Sequence, residues 1–238
     1  MLEEKLWERE WFEISFKNSG LNTKYFNLPS STFYQDFYEI LFRKYSSWDQ
    51  LPKKWLDEKK FISLEIIKLL PPNAKVLSFG TGLGFIENII LENRKDIKLQ
   101  CFDTSKLPSR WLIKKYKNLK YETDIEKLEN YDFIFFSQVL YAMPKNLILK
   151  IFKKVYTLIN PHGKILLIDS PPTYKSFKHS IIKFIKIIYN FILRYDQYQF
   201  WGWLREAKLT EKYLESCGLI LISKSFLANQ DFQIYTKY

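Results

Sequence analysis

The stretch that decides the fold is "VLSFGTGLGFIE", residues 76–87. An apolar run here ends in three glycines at alternate positions, Gly80, Gly82 and Gly84, and a helix-like pattern follows. Glycine is costly in regular structure and is used where the backbone turns tightly or approaches another group closely. The stretch therefore predicts a strand, a tight turn and a helix, with a ligand close to the turn.

Length and composition indicate one globular domain with a sizeable core, because the 238 residues are 47% hydrophobic and 26% charged. No apolar run reaches the ~20 residues that cross a bilayer. The first residues are acidic and do not resemble a signal peptide. Two cysteines and two histidines predict neither a disulfide framework nor a zinc site. We expect a cytoplasmic protein without a metal.

The formal net charge of +11 has two interpretations. It indicates either an acidic partner, nucleic acid or an anionic membrane, or a drift in composition. The basic residues are mostly lysines, spread along the chain, and Ile, Phe, Tyr and Asn are abundant as well. This pattern favours drift, so we do not expect a nucleic-acid partner, while a peripheral membrane contact stays open.

The chain divides at about residue 72. Residues 1–72 show helix-like patterns and no clear strand, and they predict an N-terminal helical cap. In "STFYQDFYEILFRKY", residues 31–45, Thr32 and Gln35 have capping-box spacing. We predict a second unit over residues 73–238, in which residues 172–205 form an insertion that covers the substrate.

From residue 75 onward, short apolar runs alternate with helical patterns. The runs lie at 75–79, 97–102, 119–123, 132–137 and 164–169, and a helical pattern spans 145–159. Largely uncharged runs separated by helices predict an α/β fold with a parallel sheet covered on both faces. The last two segments, "LISKSFL" and "DFQIYTKY", predict an antiparallel pair.

Ligands of open α/β sheets bind beyond the carboxyl ends of the strands, where the glycine turn lies. The dinucleotide fingerprint G-x-G-x-x-G needs a glycine at position 85, which is Phe85 here. A phosphate-binding P-loop needs Lys-Ser/Thr after its second glycine, and this chain has none there. The spacing therefore argues against both of these ligand classes.

Two further polar positions follow neighbouring strands. Asp103 ends the second strand, about 20 residues after the last glycine, where an acid accepts hydrogen bonds from ribose hydroxyls. The alternative is an exposed aspartate that starts a turn with Thr104. Asp124 and Ile125 follow the third strand, where they suit the amino group and the face of an adenine. The alternative for Asp124 is a helix cap.

Five motifs in this order resemble the class I S-adenosylmethionine-dependent methyltransferases. The motifs are "VLSFGTGLG", "CFDTS", "TDIE", "YDFIFFSQVLYAM" and "LINPHGKILLIDS", which cover residues 74–170. The resemblance implies a Rossmann-like, seven-stranded, mostly parallel sheet with the last strand antiparallel, and S-adenosyl-L-methionine as cofactor. It also implies that the cofactor is bound by Gly80, Gly82, Gly84, Asp103, Thr104, Asp124, Ile125 and Ser137. One position departs from the family pattern: Ser78 stands where the family often has an acid that supports the loop and the methionine amino group.

The resemblance implies attack on a methyl group that arrives already activated, so the protein mainly aligns and desolvates the reactants. A hydroxyl acceptor also benefits from a general base. Our candidates are Tyr141, beyond the fourth strand, and His179 in the insertion. The alternative for His179 is a solvated position on a polar helical stripe with Lys183 and Lys186.

These observations favour a small-molecule methyltransferase that acts on oxygen rather than nitrogen. Aromatic residues in the insertion and the N-terminal part suggest an aromatic-lined acceptor pocket, for which a sugar or surface-glycan precursor is our preferred acceptor. Three alternatives stay open: an RNA methyltransferase, a membrane-lipid methyltransferase, and a non-catalytic binding protein with this fold. The sequence makes no prediction of the oligomeric state.

Overall fold

The computed structural model describes residues 3–23, 27–172 and 198–238. The strands are β1 (Glu3–Glu8), β2 (Glu10–Trp11), β3 (Ile14–Ser15), β4 (Lys75–Phe79), β5 (Lys98–Phe102), β6 (Lys120–Glu122), β7 (Tyr131–Ser137), β8 (Ile159–Asp169), β9 (Gln199–Arg205), β10 (Leu219–Leu227) and β11 (Gln230–Lys237). The helices are α1 (Ser31–Lys44), α2 (Lys53–Leu69), α3 (Phe85–Asn93), α4 (Arg110–Lys115), α5 (Lys145–Leu158) and α6 (Ala207–Glu215).

Seven strands form the central sheet, in the order β10-β11-β8-β7-β4-β5-β6. The pairs among β4, β5, β6, β7 and β8 are parallel, whereas β11 runs antiparallel to both β8 and β10. This topology confirms the predicted Rossmann-like sheet with its last strand antiparallel. Strand β4 lies between β5 and β7, so the glycine turn that follows it sits at the switch point where ligands bind.

Both faces of the sheet are covered, as predicted. Leu77 on β4 packs in a cluster with residues of α5 and α6, and Val76 packs on the opposite face with residues of α2 and α3. Side chains alternate along a strand, so Ser78 points to the same face as Val76. Ser78 is buried on that face, beneath the first turn of α3.

The N-terminal part contains the helices α1 and α2, but the prediction that it has no strand was wrong. Strand β1 pairs antiparallel with β9, and β2 with β3 forms a small hairpin. The segment "EEKLWE" carries little apolar signal, and its partner strand lies about 200 residues later. The cap of α1 was also misassigned: Ser30, not Thr32, accepts the hydrogen bond from the Phe33 amide, at 3.1 Å.

The aromatic residues of the N-terminal part mostly pack on one another. The rings of Trp11 and Phe37 stack at 4.9 Å, and those of Phe16 and Trp201 stack at 5.3 Å. The resulting aromatic cluster also includes Leu83 of the glycine turn. Core packing therefore accounts for most of these rings, and the cluster lies at the rim of the sheet where the glycine turn is.

The described ranges do not include His179, Lys183 or Lys186, so the predictions for the helix at 175–195 lie outside the described residues. Within the described ranges, no helix combines the length and the hydropathy that a membrane span needs. The same ranges contain no group of three or more His, Cys, Asp or Glu side chains arranged to hold a metal ion.

Candidate active site

The glycine turn is fastened to the end of the neighbouring strand β5. The amides of Gly80 and Thr81 both donate to the Phe102 carbonyl, at 2.8 and 3.2 Å. The Gly82 amide donates to Oδ2 of Asp103 at 2.9 Å. The turn and the predicted ribose acid are therefore one unit, in which Asp103 fixes the backbone at the centre of the turn.

The three glycines have different reasons for being glycine, although all have a positive φ, between +54° and +78°. A Cβ on Gly80 would lie 2.4 Å from Val139, and one on Gly84 would lie 2.7 Å from Leu112. A Cβ on Gly82 would meet no atom of the described protein within 4 Å. A Cβ on Gly80 or Gly84 would therefore overlap the protein itself, whereas Gly82 faces open space, and the cofactor roles of the three glycines stay predictions.

This difference predicts contrasting effects of Gly80→Ala and Gly82→Ala. Both place alanine in a left-handed conformation, which costs about 1–2 kcal/mol. Gly80→Ala adds an overlap with Val139, which costs a further ~1–3 kcal/mol. In urea unfolding we expect Gly80→Ala to be the less stable variant, whereas Gly82→Ala stays folded and loses cofactor affinity. Equal stabilities of the two variants would contradict the packing difference.

Asp103 is half-buried. In addition to the Gly82 amide, the Thr104 hydroxyl donates a hydrogen bond to this carboxylate, at 3.3 Å from Oδ1. Burial raises the pKa of Asp103, while donors from Gly82 and Thr104 lower it. A carboxylate held at the end of a strand can accept hydrogen bonds from the two hydroxyls of a ribose. The ribose role of Asp103 and the cofactor role of Thr104 stay predictions.

Asp124 and Ile125 lie at the end of β6 on the same rim. Oδ1 of Asp124 accepts a hydrogen bond from the Glu126 amide at 3.0 Å, which is the capping arrangement. Ile125 is half-buried against the sheet core. The carboxylate of Asp124 is exposed, so its second oxygen is accessible at the rim and its adenine role stays a prediction.

Ser137 ends β7, next to the glycine turn. Its hydroxyl oxygen is buried and has no hydrogen-bond partner among the described residues. The following Gln138 has a φ of +52° and its side chain amide donates to Glu58 at 2.7 Å. The Gln138 side chain oxygen accepts a hydrogen bond from Lys59 of α2. Sequence patterns did not indicate that α2 reaches this site.

Two carboxyl groups near this rim were not predicted. Glu87, in the first turn of α3, is buried and accepts a hydrogen bond from the Ser78 hydroxyl. Burial raises the pKa of Glu87 to about 7. Glu8 ends β1, and burial together with the charge of Glu10 raises the pKa of Glu8 to about 7.

Tyr141 lies in the 3-10 turn after β7, against the β1–β9 ribbon. A Cβ on Gly202 of β9 would lie 2.0 Å from the Tyr141 carbonyl oxygen, so the two backbones are in close contact. Burial raises the pKa of the Tyr141 hydroxyl to about 12, a hydrogen bond with Trp201 opposes the rise, and the charge of Glu8 adds to it. Tyr141 is therefore a neutral phenol at physiological pH, and the charge of Asp103 also raises the pKa of its hydroxyl.

Two hydrogen-bond systems hold the N-terminal part and β9 onto the rim. The indole nitrogen of Trp48 donates to the Leu83 carbonyl in the glycine turn, at 2.9 Å. The buried guanidinium of Arg205 donates to the carbonyls of Leu140 and Met143, both at 2.8 Å. These contacts place the aromatic cluster over the turn and fix the segment that carries Tyr141.

A family model for a methyltransferase domain matches residues 47–215, which is most of the chain. The chain belongs to this methyltransferase family. The match includes the glycine turn, Asp103 and the segment that carries Tyr141. The domain is a class I methyltransferase, and CalO1, a structural neighbour from calicheamicin biosynthesis, was solved in a form with S-adenosylhomocysteine bound. A search of curated protein sequences found no match.

Solved structures share the fold at low sequence identity. Human N-acetylserotonin methyltransferase, in complex with S-adenosylmethionine, aligns at TM-score 0.56 and 16% identity over 87% of this chain and 56% of that one. Mitomycin 7-O-methyltransferase aligns at TM-score 0.53 and 13% identity, over 69% of this chain and 49% of that one. PH0226 from Pyrococcus horikoshii aligns at TM-score 0.58 and 14% identity, over 79% of this chain and 92% of that one. This chain thus spans about half the length of the mitomycin enzyme and nearly all of PH0226.

The residues at the rim fit the methyltransferase's cofactor. Gly82 faces open space, where a side chain would obstruct a ligand. Ser137 and Glu87 each have a buried oxygen without a hydrogen-bond partner among the described residues. Asp103 lies at the end of β5, on the other side of β4 from Ser137. When bound, S-adenosylmethionine supplies a sulfonium-activated methyl group at this rim.

Proposed function

We propose that this methyltransferase acts on a hydroxyl oxygen of a small molecule. The observation that carries the proposal is that the charge of Glu8 acts on the buried hydroxyl of Tyr141 beside the rim. An acid with a pKa of about 7 accepts a proton near neutral pH, and a neutral phenol donates a hydrogen bond. Mitomycin 7-O-methyltransferase, a structural neighbour, bears an O-methyltransferase name, which supports the same class of reaction.

In this proposal Tyr141 and Glu8 have different roles. Tyr141 donates a hydrogen bond to the acceptor oxygen and orients it. Glu8 would accept the proton of the acceptor hydroxyl, so that the acceptor oxygen could take the activated methyl group that the cofactor would supply. The aromatic cluster and the Arg205 contacts exclude water and keep this segment in place.

The acceptor is tested with S-adenosylmethionine labelled in its methyl group. The panel consists of sugars, nucleotide-linked sugars, phenols, transfer RNA and phospholipid vesicles. We expect label in a hydroxyl compound, with sugars as our preferred class because partly exposed rings such as Tyr34 and Trp203 remain beside the packed cluster. Label in RNA or lipid would overturn the small-molecule proposal. Binding of S-adenosylhomocysteine without transfer to any acceptor would favour a binding protein.

With an acceptor from that panel, kcat/KM is expected to rise with pH through about 7 and then level, because Glu8 must be ionised to accept a proton. Glu8→Gln should lower the plateau by about 10²- to 10⁴-fold and remove the rise. Tyr141→Phe should lower the rate and leave the rise in place.

The matched control is Glu10→Gln. The charge of Glu10 raises the pKa of Glu8, so this change should move the rise to lower pH without lowering the plateau. An unchanged pH profile in Glu8→Gln would remove Glu8 as the base.

A further inference from the structure

The backbone at Gln138, the first residue after β7, has a conformation that is unfavourable for a side chain of this kind. Its φ is +52°, in the left-handed region that favours glycine. Such strain persists only where the surrounding structure imposes it, and it is concentrated at functional sites. The contacts of Gln138 therefore indicate what the strained turn holds in place.

Three hydrogen bonds hold Gln138 in this conformation. Its backbone amide donates to the Ile168 carbonyl of β8 at 2.7 Å. Its side-chain nitrogen donates to the Glu58 carboxylate at 2.7 Å, and its side-chain oxygen accepts from the Lys59 ammonium. A glutamine suits this place, because one amide offers a donor to the acid and an acceptor to the cation. Gln138 thus joins the end of β7 to β8 and to helix α2.

The partner of the amide oxygen, Lys59, is a buried cation. Lys59 is 7% exposed, and its ammonium lies 3.4 Å from the Glu58 carboxylate. Burial lowers the pKa of Lys59, while the charges of Glu58 and Glu87 oppose this change. A buried ion pair is a weak means of stabilising a protein, because desolvation offsets the attraction between its charges. The position that this pair enforces on Gln138 is the better reason for its presence.

The strained turn lies directly against the glycine turn. Val139, the next residue, would be 2.4 Å from a Cβ on Gly80. Ser137, the residue before, has a buried hydroxyl oxygen without a hydrogen-bond partner among the described residues. Tyr141 follows in the 3-10 turn of the same connection. A displacement of Gln138 would therefore move all three residues relative to the glycine turn.

We propose that Gln138, fixed by Glu58 and Lys59 of α2, is a positioning residue that sets residues 137–141 against the glycine turn for cofactor binding. It acts through its neighbours Ser137 and Val139 and not through a contact of its own with the cofactor. The proposal goes beyond the proposed function, since it concerns how the turn is held and does not depend on the acceptor.

Gln138→Gly and Gln138→Ala separate positioning from stability. Both remove the side-chain hydrogen bonds to α2, but only alanine is strained by the positive φ. Urea unfolding should therefore show that the glycine variant is the more stable of the two. By calorimetry, both should bind S-adenosylhomocysteine about 10-fold more weakly than the wild type, the equivalent of about one hydrogen bond lost through a misplaced turn.

An exchange of the acid and the amide tests the same network by rescue. Gln138→Glu alone removes the donor to Glu58 and places two carboxylates together, so affinity should fall by about 10-fold or more. Adding Glu58→Gln returns one amide and one acid to the surroundings of Lys59. The affinity of the double variant should return to within about 3-fold of the wild type, because the two positions are coupled.

The matched control uses two neighbouring lysines of α2. Lys59→Met removes the buried cation that holds the Gln138 oxygen, and it should weaken S-adenosylhomocysteine as Gln138→Gly does. Lys60→Met removes an exposed lysine at the next position and should leave the affinity unchanged.

The outcomes are separable. Equal loss of affinity in the glycine and alanine variants, together with rescue by the exchange, supports the proposal. Affinity that follows stability between these two variants, unchanged affinity in Gln138→Gly, or an exchanged variant that recovers neither folding nor affinity overturns it. A wild type that does not bind S-adenosylhomocysteine overturns the cofactor assignment and this proposal with it.

Discussion

Asp103→Ala is expected to weaken the binding of S-adenosylhomocysteine by about 10- to 150-fold, the equivalent of losing hydrogen bonds worth roughly 1.5–3 kcal/mol to a charged acceptor. The structure adds a second reason for a large effect. Asp103 also accepts the hydrogen bond from the Gly82 amide, at 2.9 Å, so the variant should loosen the turn as well as remove the proposed ribose acceptor. Calorimetry and a thermal-unfolding curve measure both effects.

Asp103→Asn separates the two contributions. Its amide oxygen can still accept from Gly82, but the charge is gone, so its affinity should lie between those of the wild type and the alanine variant. Asp57→Ala is the matched control, because Asp57 is exposed and pairs with Lys53 on the surface of α2. Unchanged affinity in a folded Asp103→Ala variant would remove the ribose assignment, and a similar loss in Asp57→Ala would show a non-specific effect.

The second large effect is expected on stability. Arg205→Met should lower the free energy of unfolding by about 2–6 kcal/mol, because two buried carbonyls lose their donor, at about 1–3 kcal/mol each. Arg205 is 6% exposed and donates to the carbonyls of Leu140 and Met143. It also pairs with Glu3 at 2.7 Å. Urea unfolding measures the change.

The control for this prediction is Arg43→Met. Arg43 is exposed on α1 and donates to the Glu39 carbonyl of its own helix, at 3.3 Å. Its removal should change stability by less than about 0.5 kcal/mol, as is usual for surface substitutions. If both arginine variants unfold at the same urea concentration, the bonds of Arg205 do not hold the Tyr141 segment in place.

Local periodicity predicted the central sheet well. The run at 75–79 is β4, and the final two segments are the antiparallel pair β10 and β11. A strand buried on both faces needs a run of apolar residues, and a helix that covers a sheet needs apolar residues at 3.6-residue spacing. The apolar run and the helical spacing each involve residues that are close in sequence, so both can be recognised without knowledge of the tertiary structure.

The sequence did not indicate why each of the three positions in the turn is a glycine. A positive φ is a local property, and the sequence indicates it through the glycine itself. Whether the missing side chain makes room for a ligand or for the protein depends on Val139 and Leu112, which lie far along the chain. The sequence therefore did not separate Gly82, which faces open space, from the two glycines that lie against Val139 and Leu112.

The sequence by itself determined the order of strands and helices from β4 to β8, the glycine turn and the acid that follows β5, because each is encoded within one βαβ unit. The tertiary structure alone decided three relations: the hydrogen bond of Ser78 with Glu87, the charge of Glu8 acting on Tyr141, and the hydrogen bond of Arg205 to the segment after β7. A buried charge is stabilised by whatever donors the fold brings around it, and not by its neighbours in sequence. Periodicity fixes which face a side chain occupies, whereas its partner is fixed by packing between elements that are distant in the chain.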